Sequence, residues 1–167
     1  MRPQDQRQKF PRHSLIPRTL IFLTREDEIL LLRGAPDKPL WANHYNGLGG
    51  HVEAGETLYA AALRELREES GIEPRHLNLR ALIHVALPEP PGVLLAVFLG
   101  EAPAGTTPRP SPEGTPEWIK QTDVQTLPLV EDLFTLLPRL LQPGPLFYGH
   151  YTFTENGLQM RWDIPSP

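Results

Sequence analysis

Glu65, Glu68 and Glu69 stand three and four residues apart in a segment whose apolar residues recur at helical spacing. On a helix that spacing gathers three carboxylates on one side. Carboxylates so close repel one another unless a positive charge lies among them. An all-oxygen cluster of this kind suits a hard divalent cation, Mg²⁺ first and Mn²⁺ second. Glu56, just upstream, offers a fourth carboxylate, and Arg64 places a guanidinium among the acids. Gly49, Gly50 and Gly55 let the chain turn tightly and approach a metal ion or a phosphate closely. An acidic helix taken alone is more often a solvated face, so the surrounding residues have to decide.

The elements that must position these acids are legible from periodicity. A helix is expected over 58–70, with Leu58, Ala62, Leu66 and Ala61 as its apolar stripe, charges on the opposite side and Gly71 as its C-cap. Apolar runs at 19–24 and 28–33 read as strands around a polar turn. A short strand interrupted by glycines is expected within 45–52. Runs at 77–87 and 93–100 predict a hairpin around Glu89-Pro90-Pro91-Gly92, followed by a short strand at 117–120. A second helix is expected over 129–141, kinked or stopped at Pro138. A last hairpin is expected from 147–153 and 158–162. The pattern is α+β, a mixed β-sheet flanked by helices.

The 167 residues suit a single domain, expected over 14–167 behind a loose leader at 1–13. Net charge is −4, without the basic face that a nucleic-acid polymer requires. A small phosphorylated substrate remains compatible, because a metal ion supplies positive charge locally. The absence of cysteine excludes disulfides and thiolate chemistry. No stretch resembles a signal peptide or a bilayer span. A cytoplasmic monomer or homodimer, with neither membrane nor nucleic-acid partners, is the expectation.

Residues 50–72 read GHVEAGETLYAAALRELREESGI. They match Gly-x5-Glu-x7-Arg-Glu-U-x-Glu-Glu-x-Gly-U, U being bulky and apolar, through Gly50, Glu56, Arg64, Glu65, Leu66, Glu68, Glu69, Gly71 and Ile72, with no departure. A chance match is on the order of one in 10⁸ per starting position, so the bland reading of the acids gives way. The segment resembles the Nudix box, and the chain is identified as resembling a Nudix hydrolase. The resemblance implies an α/β/α sandwich, with a strand–loop–helix–loop unit at 45–72 binding divalent metal while water attacks a phosphorus of a nucleoside diphosphate linked to another group. It implies Glu65, Glu68 and Glu69 as metal ligands with the Gly49 carbonyl, Glu56 as a supporting acid, and Arg64 as the residue that orients the glutamates. Metal ions would neutralise the pyrophosphate and lower the pKa of a bound water.

The flanks narrow the substrate. Tyr45-Asn46-Gly47-Leu48-Gly49-Gly50 resembles the segment of oxidised-purine nucleoside triphosphatases, the 8-oxo-dGTPases, in which the Asn bonds the purine. An amide offers both a donor and an acceptor for that task, although Asn-Gly is equally a turn. Glu113 fits the family's remote glutamate, as metal ligand or general base. Glu117, beside Trp118, is expected to face solvent. Glu131-Asp132 resembles the subgroup's purine-contacting acidic pair, and equally suits a helix start. Leu129 stands where the subgroup has a stacking aromatic ring. Trp41 and Tyr45 either line the base pocket or pack beneath the loop. His51 is placed to touch phosphate. The six histidines show no paired metal spacing, and His84 is expected to be a core or pocket-lining residue.

Overall fold

The computed structural model describes residues 13–165, so the expected leader lies outside the described residues except for His13. The strands are β1 (Leu15–Arg25), β2 (Glu28–Gly34), β3 (Tyr45–Asn46), β4 (His76–Ala86), β5 (Gly92–Glu101), β6 (Gly114–Lys120), β7 (Phe147–Thr154) and β8 (Gly157–Asp163). The helices are α1 (Leu58–Ser70) and α2 (Leu133–Leu140), with a 3₁₀ turn at Val124–Thr126. The strands join into one mixed sheet in the order β3-β2-β1-β5-β4-β7-β8, with β6 on the free side of β2. Pairs β1–β5 and β4–β7 are parallel and the others antiparallel. The expected hairpin is β4–β5 and the closing one is β7–β8.

Alternation along the strands loads both faces of the sheet. Ile21, Leu23, Leu30, Ala96 and Phe98 meet Ala62 and Leu66 of α1. Leu20, Phe22, Ile29, Leu31, Ile83 and Val97 meet Leu133, Leu136, Leu137 and Leu140 of α2. The result is the expected α/β/α sandwich.

One divergence in the sheet builds the site. β2 pairs with β1 only over Glu28, Ile29 and Leu30, and beyond that point it turns to β3. Into the gap runs the segment 45–52. It is fastened to β1 by Ile21 N–H to Leu48 O at 2.7 Å and by Thr19 N–H to Gly50 O at 2.9 Å. Gly49 is required here: its φ is +132°, and a Cβ would lie 2.3 Å from the Thr19 carbonyl oxygen. The expected strand over 45–52 is thus two residues of β3 followed by bridges at Leu48 and His51.

The second helix is shorter than expected. Residues 129–132 are not helical, because the backbone of this stretch is claimed by β3: Tyr45 N–H donates to Pro128 O at 2.9 Å and Val130 N–H to Tyr45 O at 3.0 Å. The helix begins at Leu133 and runs through Pro138, which is exposed and followed by only two helical residues. A missing amide there costs one hydrogen bond on the solvent side, which the four buried leucines outweigh.

Candidate active site

α1 starts at Thr57, whose hydroxyl accepts from Ala60 N–H at 3.1 Å, and stops at Gly71, whose φ is +70°. Such caps stabilise a helix by about 1 kcal/mol. Between them the buried residues are Ala61, Ala62, Leu66, Glu69 and Ser70. Glu69 therefore occupies a core position, which corrects the expectation that all charges lie opposite the stripe. The three acids grade from core to solvent: Glu69 is 4% exposed, while the side chains of Glu65 and Glu68 are 14% and 59% exposed.

Glu69 receives the Gly49 N–H on Oε2 at 2.7 Å. Burial, outweighing that bond, and the neighbouring Glu65 and Glu68 carboxylates push its pKa up to about 7. Glu65 lies against Gly50, where a Cβ would stand 2.4 Å from Oε1; only glycine leaves room for that carboxylate. Arg64 ties the rest together. Its Nε and Nη2 form a fork on Glu56 at 2.8 and 3.0 Å, Nη1 reaches Glu65 at 2.9 Å and Glu68 at 3.2 Å, and Nη2 also reaches the His51 carbonyl at 3.0 Å. The Arg64 hydrogen bond lowers the Glu56 pKa, and Glu56 in turn holds Arg64 in its charged form.

Glu53, Glu65, Glu68, Glu69 and Glu113 line a cleft of about 530 Å³ whose wall carries one arginine, Arg18, so negative charge is in excess there; Gly49, Gly50 and His51 also contribute. Among the described residues no three acids or histidines already converge as a closed metal cage. An open set of carboxylates is nonetheless what Mg²⁺ uses, since it keeps several waters and takes few protein ligands. The donor set fits a hard divalent cation, and a cation would offset both the burial and the neighbouring carboxylates that raise the Glu69 pKa. Glu65, Glu68, Glu69 and the Gly49 backbone are the groups placed to hold it.

Glu113 reaches the cleft from the tip of a tight turn, closed by Ser111 N–H to Gly114 O at 3.0 Å and the reverse bond at 3.1 Å. Its carboxylate is ion-paired with Lys38, a partner that the sequence reading did not anticipate. Glu117 does not face solvent as expected. Its half-buried carboxylate accepts from the Tyr45 hydroxyl at 2.8 Å and pairs with Arg33 at 3.2 Å, because β3 and β6 flank β2. Tyr45 is 8% exposed and packs into the α2-side core, so of its two readings packing holds. Trp41 is exposed on the loop before β3, with φ +58°, outside the cleft. The Asn46 side-chain oxygen accepts its neighbour's amide, Gly47 N–H, at 2.8 Å, as in a turn.

Asp132 heads α2 without capping it. Burial and, to a lesser extent, Glu131 push its pKa up to about 6. Leu129 is 4% exposed within the core and presents no surface for stacking. Sequence spacing also missed a histidine cluster. Parallel register sets His84 beside His150, and the His13 ring nitrogen lies 2.7 Å from that of His84. Only that strand register could have revealed it.

A family model for the NUDIX domain matches residues 15–140. The chain belongs to the Nudix family. Over 147 residues it is 31% identical to the oxidized purine nucleoside triphosphate hydrolase of Mus musculus, a match covering 87% of this chain and 92% of the mouse protein. A crystal structure of the mutator MutT protein from Bacillus halodurans superposes with a TM-score of 0.69 at 27% identity, covering 92% of this chain and all of that one. A 76-residue stretch is 40% identical to the NAD-capped RNA hydrolase NudC of Pseudomonas aeruginosa, spanning 46% of this chain but 26% of that protein. As a Nudix hydrolase the protein is a pyrophosphohydrolase acting on nucleotides, of a family that generally uses divalent metal. No helix among the described residues is long and apolar enough to cross a membrane.

Proposed function

We propose that the protein hydrolyses purine nucleoside triphosphates, with oxidised purines such as 8-oxo-dGTP preferred, to the monophosphate and pyrophosphate in the cytoplasm. Water adds to one phosphorus of the α–β bridge, and the bridging oxygen leaves with the other. Bound Mg²⁺ would supply charge neutralisation on the pyrophosphate and acidify the attacking water. The chain's own residues do the rest. Arg64 fixes the Glu56, Glu65 and Glu68 carboxylates, Gly49 N–H orients Glu69, and Glu113 approaches from across the cleft as ligand or base.

The purine reading is carried by Asp132. Its carboxyl sits at the head of α2 without capping the helix, with a pKa raised to about 6. A carboxyl that titrates just below neutral pH accepts from a purine N–H as the carboxylate and can donate to a purine acceptor when protonated. The mouse relative, matched over most of its length, supports the same reading. Asn46 lies at the same sheet edge, alongside the 128–130 stretch. Register pairs it with Leu32 of the α1-side core, whereas Tyr45 packs on the α2 side. Asn46 is therefore the lesser reader.

The test is kcat/KM with Mg²⁺ across oxidised and ordinary purine triphosphates, CTP, a nucleotide sugar and a dinucleoside polyphosphate. Oxidised purine triphosphates lead on this reading. Equal or better turnover of CTP or the nucleotide sugar sinks the purine assignment and leaves the family intact. Asp132→Ala should narrow the ratio between the best and second-best bases by roughly tenfold, and Asn46→Ala by less.

A further inference from the structure

Three cations near the cleft are already engaged. Arg64 holds Glu56, Glu65 and Glu68, Lys38 pairs with Glu113, and Arg33 pairs with Glu117. Arg18 lines the same cleft as Glu53, Glu65, Glu68, Glu69 and Glu113, yet its guanidinium forms no ion pair with any described residue. Strand pairing accounts for this. Arg18 of β1 is bridged to His51, and the bridge is flanked by Thr19 N–H to Gly50 O at 2.9 Å and Val52 N–H to Pro17 O at 3.2 Å. Those bonds make Arg18 and His51 a non-hydrogen-bonded antiparallel pair, the kind whose side chains leave the same face at close approach. Alternation says which face. Ile21 and Leu48, three residues away on each side of the pairing, are bridged within the α1-side core, and Gly50 faces Glu65 of α1. Arg18 and His51 therefore emerge on the opposite face, the one on which Leu20 and Phe22 pack with the leucines of α2. The backbone at 49–51 separates carboxylates on its α1 side from an arginine and an imidazole on its α2 side.

We propose that Arg18 and His51 form a phosphate-binding pair, a subsite for nonbridging oxygens of the substrate's phosphate chain on the side of the cleft away from the acids. This rests on the polyphosphate substrate of the proposed function and not on its base. A guanidinium without a carboxylate partner can place its fork on a phosphate, and it stays charged at every working pH. The imidazole adds one N–H even when neutral, so the pair does not depend on its protonation. Arg18 is half-buried, which strengthens a bond between opposite charges relative to one in open water. An acidic wall repels a polyphosphate. A cation on the far side of the 49–51 backbone offsets that repulsion in substrate and transition state alike, so it serves binding more than bond cleavage.

The test compares Arg18→Gln, Arg18→Lys and His51→Ala with the wild type, all at saturating Mg²⁺. The leading nucleotide of the substrate panel gives kcat and KM, and inorganic pyrophosphate, a probe without a base, gives Ki. Arg18→Gln should raise KM and Ki together by roughly ten- to fiftyfold, with kcat changed less than about threefold. Arg18→Lys should fall between the wild type and the glutamine variant, because it keeps the charge and loses the fork. His51→Ala leaves the backbone carbonyl that Arg64 holds, and should raise KM and Ki by roughly two- to fivefold. Salt gives a readout that a structural role would not move. Raising NaCl from about 0.05 to 0.5 M should weaken pyrophosphate inhibition less in Arg18→Gln than in the wild type. A loss confined to kcat, an unchanged Ki, or equal losses in Arg18→Lys and Arg18→Gln overturns the inference. Should Arg18→Gln fail to fold, His51→Ala decides by the same readout, and an unchanged Ki overturns the pair. A panel in which purines do not lead defeats the base reading and leaves the Ki comparison standing. Should no nucleotide turn over, calorimetric binding of pyrophosphate with Mg²⁺ replaces Ki, and equal affinities in wild type and variant overturn the inference.

Discussion

Two regions of the molecule, the α1 wall of the cleft and the head of α2, hold their acids in opposite ways. On the α1 side, Glu56, Glu65 and Glu68 share one guanidinium, and Glu69 takes a backbone N–H; every carboxylate has a designated partner. At the head of α2, Asp132 has no ion-pair partner and no side-chain capping bond, and burial is the main cause of its raised pKa. The first arrangement concentrates and fixes negative charge, which suits a divalent metal ion. The second keeps a carboxyl close to its protonation point, where small changes decide whether it donates or accepts. On the function proposed above, rigid charge would serve the shared chemistry and poised charge the selection.

Breaking the rigid end should produce the largest effect. Glu69→Gln removes the buried charge while keeping its shape, and should lower kcat at least about a hundredfold. Its effect on stability has a definite sign. The folded-state pKa of Glu69 is raised to about 7, above its unfolded value. Its stabilising contribution is full below the unfolded value and is lost as pH rises through about 7. Metal-free wild type should therefore be less stable at pH 8 than at pH 5.5 on this account. Glu69→Gln should raise Tm at pH 8 more than at pH 5.5, and Mg²⁺ should raise the wild-type Tm at pH 8 far more than that of the variant. Thermal scans with and without chelator check all three. An Mg²⁺ response equal in both proteins would place the cation elsewhere.

Arg64→Ala leaves every carboxylate in place and removes only what aligns them. Losses of roughly ten- to a hundredfold in kcat are expected, as when residues that orient metal ligands are removed. Arg64→Lys should recover little, because an ammonium cannot reproduce the fork on Glu56 or reach Glu65, Glu68 and the His51 carbonyl together. The losses should be alike for all nucleotides. A change in base preference instead would mean that the α1 acids and the head of α2 are not separable.

The same contrast governs what could be read from sequence. α1 is specified locally: Thr57, the apolar stripe and Gly71 lie within one segment, so both its bounds and its acids were legible. The burial of Glu69 was also encoded, since it falls three residues after Leu66 on the stripe, but its acidic character hid it among surface charges. The α2 end was not legible because long-range pairing decides it. Periodicity extended the helix back to residue 129, whereas hydrogen bonds to Tyr45 hold 128–130 as an extended stretch. The Tyr45–Glu117 bond and the His13–His84–His150 cluster join residues whose proximity depends on strand order.

The smallest expected effect tests where the rigid end stops. Glu113 belongs to the cleft, yet its carboxylate is ion-paired with Lys38, an arrangement unlike the Arg64 cluster. With side chains 32% and 51% exposed, the pair should contribute less than about 1 kcal/mol to stability, so Lys38→Met should leave Tm nearly unchanged. Its consequence should appear in metal dependence. Lys38 also acts on Glu69, lowering its proton affinity, so its ammonium competes with a cation for two acids at once. Removing it should lower the Mg²⁺ concentration for half-maximal activity by about two- to fivefold. Glu113→Gln should raise that concentration and abolish the gain when combined with Lys38→Met. If the lysine variant gains the same amount with Glu113 replaced, the competition runs through Glu69 alone, and Glu113 belongs with the substrate or the water rather than with the metal.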